Sequence, residues 1–444
     1  MTLVAAPSRI DFEVIADQLL EARARTLLLV APLTDEELRM QHDPLMSPIL
    51  WDLGHIAHFE ELWLTRNLDG PIEFVEMPGL YNPFEHPRST RGGLALPDLA
   101  HSREIMDEIR GRVLGRLVTL EPDSANPLLR DGFVYQMVLQ HEYQHNETML
   151  QTLQLKQGAH YTPLARVEPA ASARPTGLVP PSAGEMVRFP GGRVTIGTDD
   201  RSAAYDNERP AHGVDVAPFW IDTHPVTNQD FLVFIGAGGY ESPEHWSEAG
   251  WRWRTEAAVV APKHWSWRGG IWTTRTMDRR GPVDPTHPVC HVNWYEAEAF
   301  ARFAGKRLPT EIEWEAAAAY DPATGRSRPY PWGDAPPDRS LANVDQLAFG
   351  TAAVGSYPAN VSPIGCVGMI GDVWEWTASD FGPWPGFESF PYPEYSEAFF
   401  GTEYKVLRGG SWATRPGAIR NTFRNWDYPI RRQIFSGFRC ARDA

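Results

Sequence analysis

The stretch HEYQHNE, residues 141–147, sets two histidines four positions apart with a glutamate beside the first. On a helix, four residues turn through about 400°, so His141 and His145 share one face with their bases roughly 6 Å apart. Two imidazoles so placed can chelate one ion. The letters also spell H-E-x-x-H, the zinc-protease signature, in which the glutamate serves as general base. A histidine pair on an amphipathic helix is as often a bundle-lining or surface feature, so metal chemistry needs a third ligand. Downstream, His160 stands next to a helix end and Glu168 in a Pro/Ala-rich stretch, and neither belongs to a following helix. Upstream, MSPILWDLGHIAHFEELW offers His55, bracketed by Trp51, Leu53 and Ile56, and His58, four before Leu62. One histidine from one helix and two from another is a common way to build a metal site inside a bundle. Three neutral imidazoles leave coordination positions open and suit zinc, iron(II) or nickel.

The elements that must carry these residues are helices. Four segments, roughly 11–31, 47–68, 97–120 and 131–157, have helical length and spacing. In the first, Phe12, Ile15, Leu19 and Leu20 form an apolar stripe, and the last stops at Gly158. Four such helices suggest a bundle. After it, TPLARVEPAASARPTGLVPPSAG has no periodicity and reads as an interdomain linker. The expected division is a helical bundle over 1–160, a linker over 161–184 and a second domain over 185–444. Of 17 tryptophans only Trp51 and Trp63 precede the linker, so the two halves have different kinds of core. The second half is dense in Gly, Pro and Trp. Its strands are short, in EMVRFPGGRVTIGT, HGVDVAPFWIDTHPVT, YKVLRGGSWAT and SGFRCARD, with two helices near NWYEAEAFARFAG and LPTEIEWEAAAAY. That pattern is a loop-rich α+β domain.

Composition narrows the function further. The 444 residues carry a formal net charge of -16, which disfavours nucleic acid as a partner, because phosphate binding needs a basic face. No run of eighteen apolar residues predicts a membrane span, and the N-terminus lacks the basic and apolar regions of a signal peptide. Cys290, Cys366 and Cys440 are too few and too far apart for a disulfide framework, so the expected location is the reducing cytoplasm. No obligate protein partner is predicted.

DPLMSPILWDLGHIAHFEELW followed by HEYQHNETMLQ resembles the N-terminal bundle of the iron-dependent sulfoxide synthases of ergothioneine biosynthesis, the EgtB family. RLPTEIEWEAAA, YPWGD, GDVWEWTASD, VLRGGSW and GFRCARD resemble the formylglycine-generating-enzyme fold. The resemblance covers nearly the whole chain, and the combination is far more specific than either half. It implies an α plus α+β protein: an N-terminal DinB-like four-helix bundle, then a C-type-lectin-like domain of the formylglycine-generating-enzyme type. It implies a non-haem Fe(II) site that uses O2 to couple the thiol of γ-glutamylcysteine to C2 of the imidazole of hercynine (Nα-trimethylhistidine), giving a sulfoxide.

Matched residue by residue, the resemblance places the iron ligands on His55, His141 and His145. His58 is left as a structural residue and Glu142 as a bundle or surface residue. Within PWPGFESFPYPEYSEAFFG, Tyr392 takes the catalytic position and Tyr395 stands beside it. Arg88 and Arg91 of HPRSTRG match the pair that binds the thiol donor's carboxylates, for which guanidinium forks are suited. In FRNWDYPIRRQIFSGFR, Asp427 matches the partner of the substrate ammonium, with Arg431 close by. Asn425 and Trp426 match hercynine-site positions, where an aromatic face suits a quaternary ammonium. Gln144 matches a residue that contacts the imidazole. The fold also accommodates structural calcium, whose ligands spacing does not assign. The formylglycine oxidases need a copper-binding cysteine pair after the RGGSW stretch, and GGSWATRPGAIRNTFRNWDYP contains none. Competing readings are an ovothiol-type synthase using plain histidine and cysteine, a metal-dependent thiol transferase and a lectin-like binding module. The zinc protease comes last.

Overall fold

The computed structural model describes residues 11–70, 79–119, 125–167 and 184–444. The chain falls into two compact units. The first comprises the chain up to Leu164 together with Asp199–Asp206 and Glu388–Tyr395. The second comprises Ala165–Thr198, Asn207–Phe387 and Ser396–Ala444. Most of the expected linker, 168–183, lies outside the described residues, as does Glu168.

In the first unit the four expected helices are α1 (Phe12–Val30), α2 (Ile49–Glu61), α3 (Leu99–Leu117) and α4 (Phe133–Gln154). Asp11 caps α1 by accepting from the amides of Glu13 and Val14, and Asp98 caps α3 by accepting from that of His101. Past Glu61 the chain widens into a π-turn over Leu62–Arg66, where one residue more than an α-helical turn is accommodated. One expectation for α1 is corrected. Ile15 and Leu19 are buried, but Leu20 is half exposed, and the buried face continues instead through Ala22, Arg23, Thr26 and Leu29. Arg23 can occupy that face because carboxylates inside the bundle meet it.

The second unit holds a three-stranded sheet ordered Met186–Phe189, Phe219–Asp222, Ala441–Asp443 and a four-stranded sheet ordered Asn425–Asp427, Gly401–Arg408, Trp374–Phe381, Ser436–Gly437. Phe189, Ile196, Phe219, Ile221, Trp314 and Met369 are among the side chains of its core. The motifs that carried the family resemblance supply that core's buried ion pairs. Arg439 of GFRCARD meets Glu375 of GDVWEWTASD at 2.7 Å, and the same carboxylate accepts from the Trp314 indole at 2.7 Å. Arg408 of VLRGGSW pairs with Glu315 of RLPTEIEWEAAA. Gly409 has a φ of 91°, and a Cβ there would lie 2.5 Å from the Met369 carbonyl, so glycine is required at that turn.

The second unit has more helix than the sequence reading assigned. Besides Trp294–Phe303 and Glu311–Ala319 there are helices over Asn228–Gly236 and Glu248–Glu256. The first of these begins with a capping box between Thr227 and Asp230 that is legible as T-x-x-D. A hairpin joins Ser266–Arg268 to Ile271–Thr276 through Gly269 and Gly270, both at positive φ.

Candidate metal centre

His55 projects from α2, and His141 and His145 from successive turns of α4. Ligating atoms of the three rings lie within 4.8 Å of one another, with His141 Nε2 3.2 Å from His55 Nε2. Among the described residues no second group of three His, Cys, Asp or Glu side chains converges in this way. His58 stays outside the group. Its ring stacks on Tyr81, with centroids 4.7 Å apart.

The surroundings orient each ring. His55 Nδ1 donates to the Tyr81 carbonyl at 2.9 Å, and His145 Nδ1 lies 3.1 Å from Asp52 Oδ1. With those nitrogens engaged, the other nitrogen of each ring is left to ligate, the usual arrangement around a metal-bound histidine. Tyr81 can approach because residue 54 is glycine: a Cβ there would fall 2.1 Å from the Tyr81 ring. The His141 ring stacks on Phe59 at 3.6 Å, and the His55 ring on Trp51 at 4.7 Å. Burial pushes His55 and His141 well below the ordinary histidine range, and the neighbouring imidazoles push the same way. Neutral imidazole is the form a metal takes. The donor set therefore fits a divalent transition metal with open coordination positions.

Glu142 has no protease role here. Its carboxylate accepts from Arg23 Nε at 3.0 Å, Arg110 Nη2 at 3.2 Å and Thr26 Oγ1 at 2.7 Å, all in the bundle interior. Burial alone would raise this carboxyl. The charges of Arg23 and Arg110 outweigh that and hold it below the usual range.

Glu388–Tyr395 and Asp199–Asp206 pack into this unit. Tyr392 is 6% exposed and stacks on Trp63, with centroids 5.0 Å apart. Tyr395 Oη accepts from Gln144 Nε2 at 3.0 Å. Burial raises both phenols well above their ordinary range, and the nearby Tyr205 adds to it, so both hold their protons at neutral pH.

Arg91 is buried, with its guanidinium 3.5 Å above the Trp51 ring; it donates to Ser47 Oγ at 2.7 Å and to the His86 carbonyl at 2.8 Å. Burial lowers it to about 10, against the pull of Asp52. Arg88 is exposed at the start of the same turn. The remaining predicted site residues form a separate group in the second unit. Asn425–Asp427 is the edge strand of the four-stranded sheet; Trp426 stacks on Phe381 at 4.1 Å, and Arg431 Nε lies 3.4 Å from Asp427 Oδ1.

Sequence reasoning missed Asp52, Phe59, Trp63, Tyr81 and Tyr205. Asp52 had a signal, being three before His55 and so on the same helix face. Tyr205 had none, because only tertiary packing brings its segment to the bundle.

Comparison with known proteins finds two family matches along the chain. Residues 18–149 match the DinB superfamily, and 173–444 match the sulfatase-modifying factor enzyme 1-like domain. The formylglycine-generating enzyme of Streptomyces coelicolor is 36% identical over 64% of this chain and 95% of its own length. Hercynine oxygenase of Mycolicibacterium thermoresistibile is 49% identical over 100% of this chain and 97% of its own. That of Mycolicibacterium smegmatis is 47% identical over 97% of this chain and 99% of its own. Both relatives span the bundle and the second domain together, as the quoted motifs do, so the chain is an enzyme of the hercynine oxygenase family, the sulfoxide synthases of the ergothioneine pathway.

Proposed function

We propose that the enzyme joins the thiol of γ-glutamylcysteine to C2 of the hercynine imidazole, with Fe(II) on His55, His141 and His145 and O2 as oxidant. The thiol S–H and the imidazole C2–H are lost and an S–C bond forms. One oxygen atom goes to sulfur, giving the sulfoxide, and the other leaves as water. Fe(II), when bound, gathers both substrates and O2 at one centre and lowers the thiol pKa.

The chain's own groups do the rest. Tyr392 Oη holds a proton that burial keeps in place, and delivers it to the oxygen being reduced while sulfur meets carbon. This directs turnover to coupling and away from oxidation of the thiol to a sulfinate. Gln144 orients the imidazole and Tyr395 fixes Gln144. Arg88 and Arg91 take the carboxylates of the thiol donor. Asp427, with Arg431 beside it, is the partner of the substrate ammonium group. Asn425 and the face of Trp426 receive the trimethylammonium of hercynine. Fixing both partners beside each other contributes several kcal/mol to the rate. The domain bounds on this reading are 1–160, 161–184 and 185–444, and the enzyme works in the cytoplasm without an obligate partner protein.

The observation that carries this reading is the three-histidine group, with His55 held by the Tyr81 carbonyl and His145 by Asp52, in the same unit as Tyr392. The test is anaerobic loading with Fe(II), then O2 with hercynine and γ-glutamylcysteine, read by mass spectrometry. The expected product is the coupled sulfoxide. One bound iron without coupling would overturn the substrate assignment and direct the assay to cysteine and histidine. Failure to bind iron would overturn the ligand assignment.

A further inference from the structure

We propose that Trp63 and Tyr205 are positioning residues for the reaction: a two-sided aromatic clamp that holds Tyr392 and Tyr395 in place and so sets the partition between S–C coupling and thiol oxidation. The inference rests on the role given to Tyr392 above.

On one side, Trp63 is fully buried and stacks on Tyr392 at 5.0 Å with an interplanar angle of 26°. It stands on the π-turn over Leu62–Arg66, a helix irregularity that recurs at functional sites. Phe59, one turn earlier, stacks on His141 at 3.6 Å and meets Tyr392 edge-on at 6.4 Å. One face of α2 therefore reads out both a ligand ring and the Tyr392 ring.

On the other side, Tyr205 is 2% exposed and stacks on Tyr395 at 4.2 Å and 18°. Tyr395 in turn meets Tyr392 edge-on, with centroids 6.1 Å apart and an angle of 75°. The segment carrying Tyr205 is tied down at two points. Gln140 Nε2 donates to the Ala203 carbonyl at 2.8 Å, and Asp206 Oδ2 accepts from the Phe390 amide at 3.2 Å. Gln140 directly precedes His141, and Gln144, which holds Tyr395, directly precedes His145. The clamp is thus referenced to the ligand helix. Flat rings with two side-chain torsions suit this task because they transmit position with little slack.

The test compares Trp63→Leu, Trp63→Phe, Tyr205→Leu and Tyr205→Phe with Tyr392→Phe in the Fe(II)-loaded enzyme. The readouts are the sulfoxide-to-sulfinate ratio, the iron content, and KM separately from kcat. Loss of a stacked face should lower the ratio at least about tenfold in both leucine variants, with iron and KM retained, since small misplacements cost this much. The phenylalanine variants should restore the ratio to within about threefold, because they keep the face. If Trp63→Leu fails to hold iron, Trp63→Met takes its place, keeping bulk without a flat ring. An unchanged ratio in the leucine variants, alongside a changed one in Tyr392→Phe, overturns the clamp alone. An unchanged ratio in Tyr392→Phe overturns the role of that tyrosine, and the clamp with it.

Discussion

Arg23 and Glu142 form an ion pair in the interior of the bundle, Nε to Oε1 at 3.0 Å, with both side chains almost wholly out of water. Arg110 bridges the same glutamate to Glu60, so two cations and two carboxylates balance within the bundle. Removing one member leaves an unpaired buried charge. Glu142→Ala should therefore cost about 3–5 kcal/mol of bundle stability, and Glu142→Gln less. Urea denaturation of the two variants measures this, and a loss below ~1 kcal/mol would show that the network does not hold the bundle.

The metal predictions separate ligands from supports. His141→Ala should abolish Fe(II) binding, whereas His58→Ala should keep a full complement. Asp52→Asn should retain the metal with affinity lowered about 10–100-fold, the usual effect of losing a carboxylate behind a ligating histidine. Metal titration followed by elemental analysis distinguishes these. Full affinity in Asp52→Asn would mean that the 3.1 Å contact with His145 does not orient the ring.

Tyr392→Phe keeps the ring that stacks on Trp63 and deletes the hydroxyl. Iron binding should be unchanged and turnover should divert to the sulfinate of the thiol substrate. An unaltered sulfoxide yield would remove Tyr392 from the reaction.

Arg88 and Arg91 should behave differently although only two residues separate them. Arg88 is exposed, so Arg88→Ala should change stability by less than about 0.5 kcal/mol and raise KM for the thiol donor with kcat nearly constant. Arg91 lies over Trp51 and bonds Ser47 and His86, so Arg91→Ala should also lower the melting temperature. Equal thermal stability of the two variants would contradict the packing role of Arg91.

Asp372 gives a pH signature. Burial raises its carboxyl to about 6, although Asn343 and the Ala352 amide both donate to it. Between the ordinary carboxylate value, about 4, and 6, the folded state holds this proton more tightly than the unfolded state does. Its contribution to stability is therefore fully present below about 4 and lost as pH rises through 6, by roughly 2–3 kcal/mol in all. Asp372→Asn should remove this component. Melting temperatures of both proteins from pH 4 to 7 would show it as a difference that changes across the window and then levels. A constant offset would refute the raised value.

Much of the first unit could be read from letters because helices are local. Periodicity alone sets the four helices of the bundle, and i, i+4 spacing alone puts His141 and His145 on one face. The helix at Asn228–Gly236 and the Gly269–Gly270 hairpin carry local signals too, a capping box and a two-glycine turn.

What the letters could not decide is which distant groups meet. HEYQHNE determined that two histidines share one helix face, and nothing in it determined that His55 joins them or that Glu142 pairs with Arg23 and Arg110. Residues 199–206 and 388–395 fall within the second half of the sequence, yet they pack into the bundle's unit, where Tyr205 meets Tyr395 and Tyr392 meets Trp63. Backbone geometry propagates helix phase along a few turns and is therefore written in the sequence. The meeting of side chains hundreds of residues apart is fixed by the packing of the whole unit, so only the tertiary structure decides it.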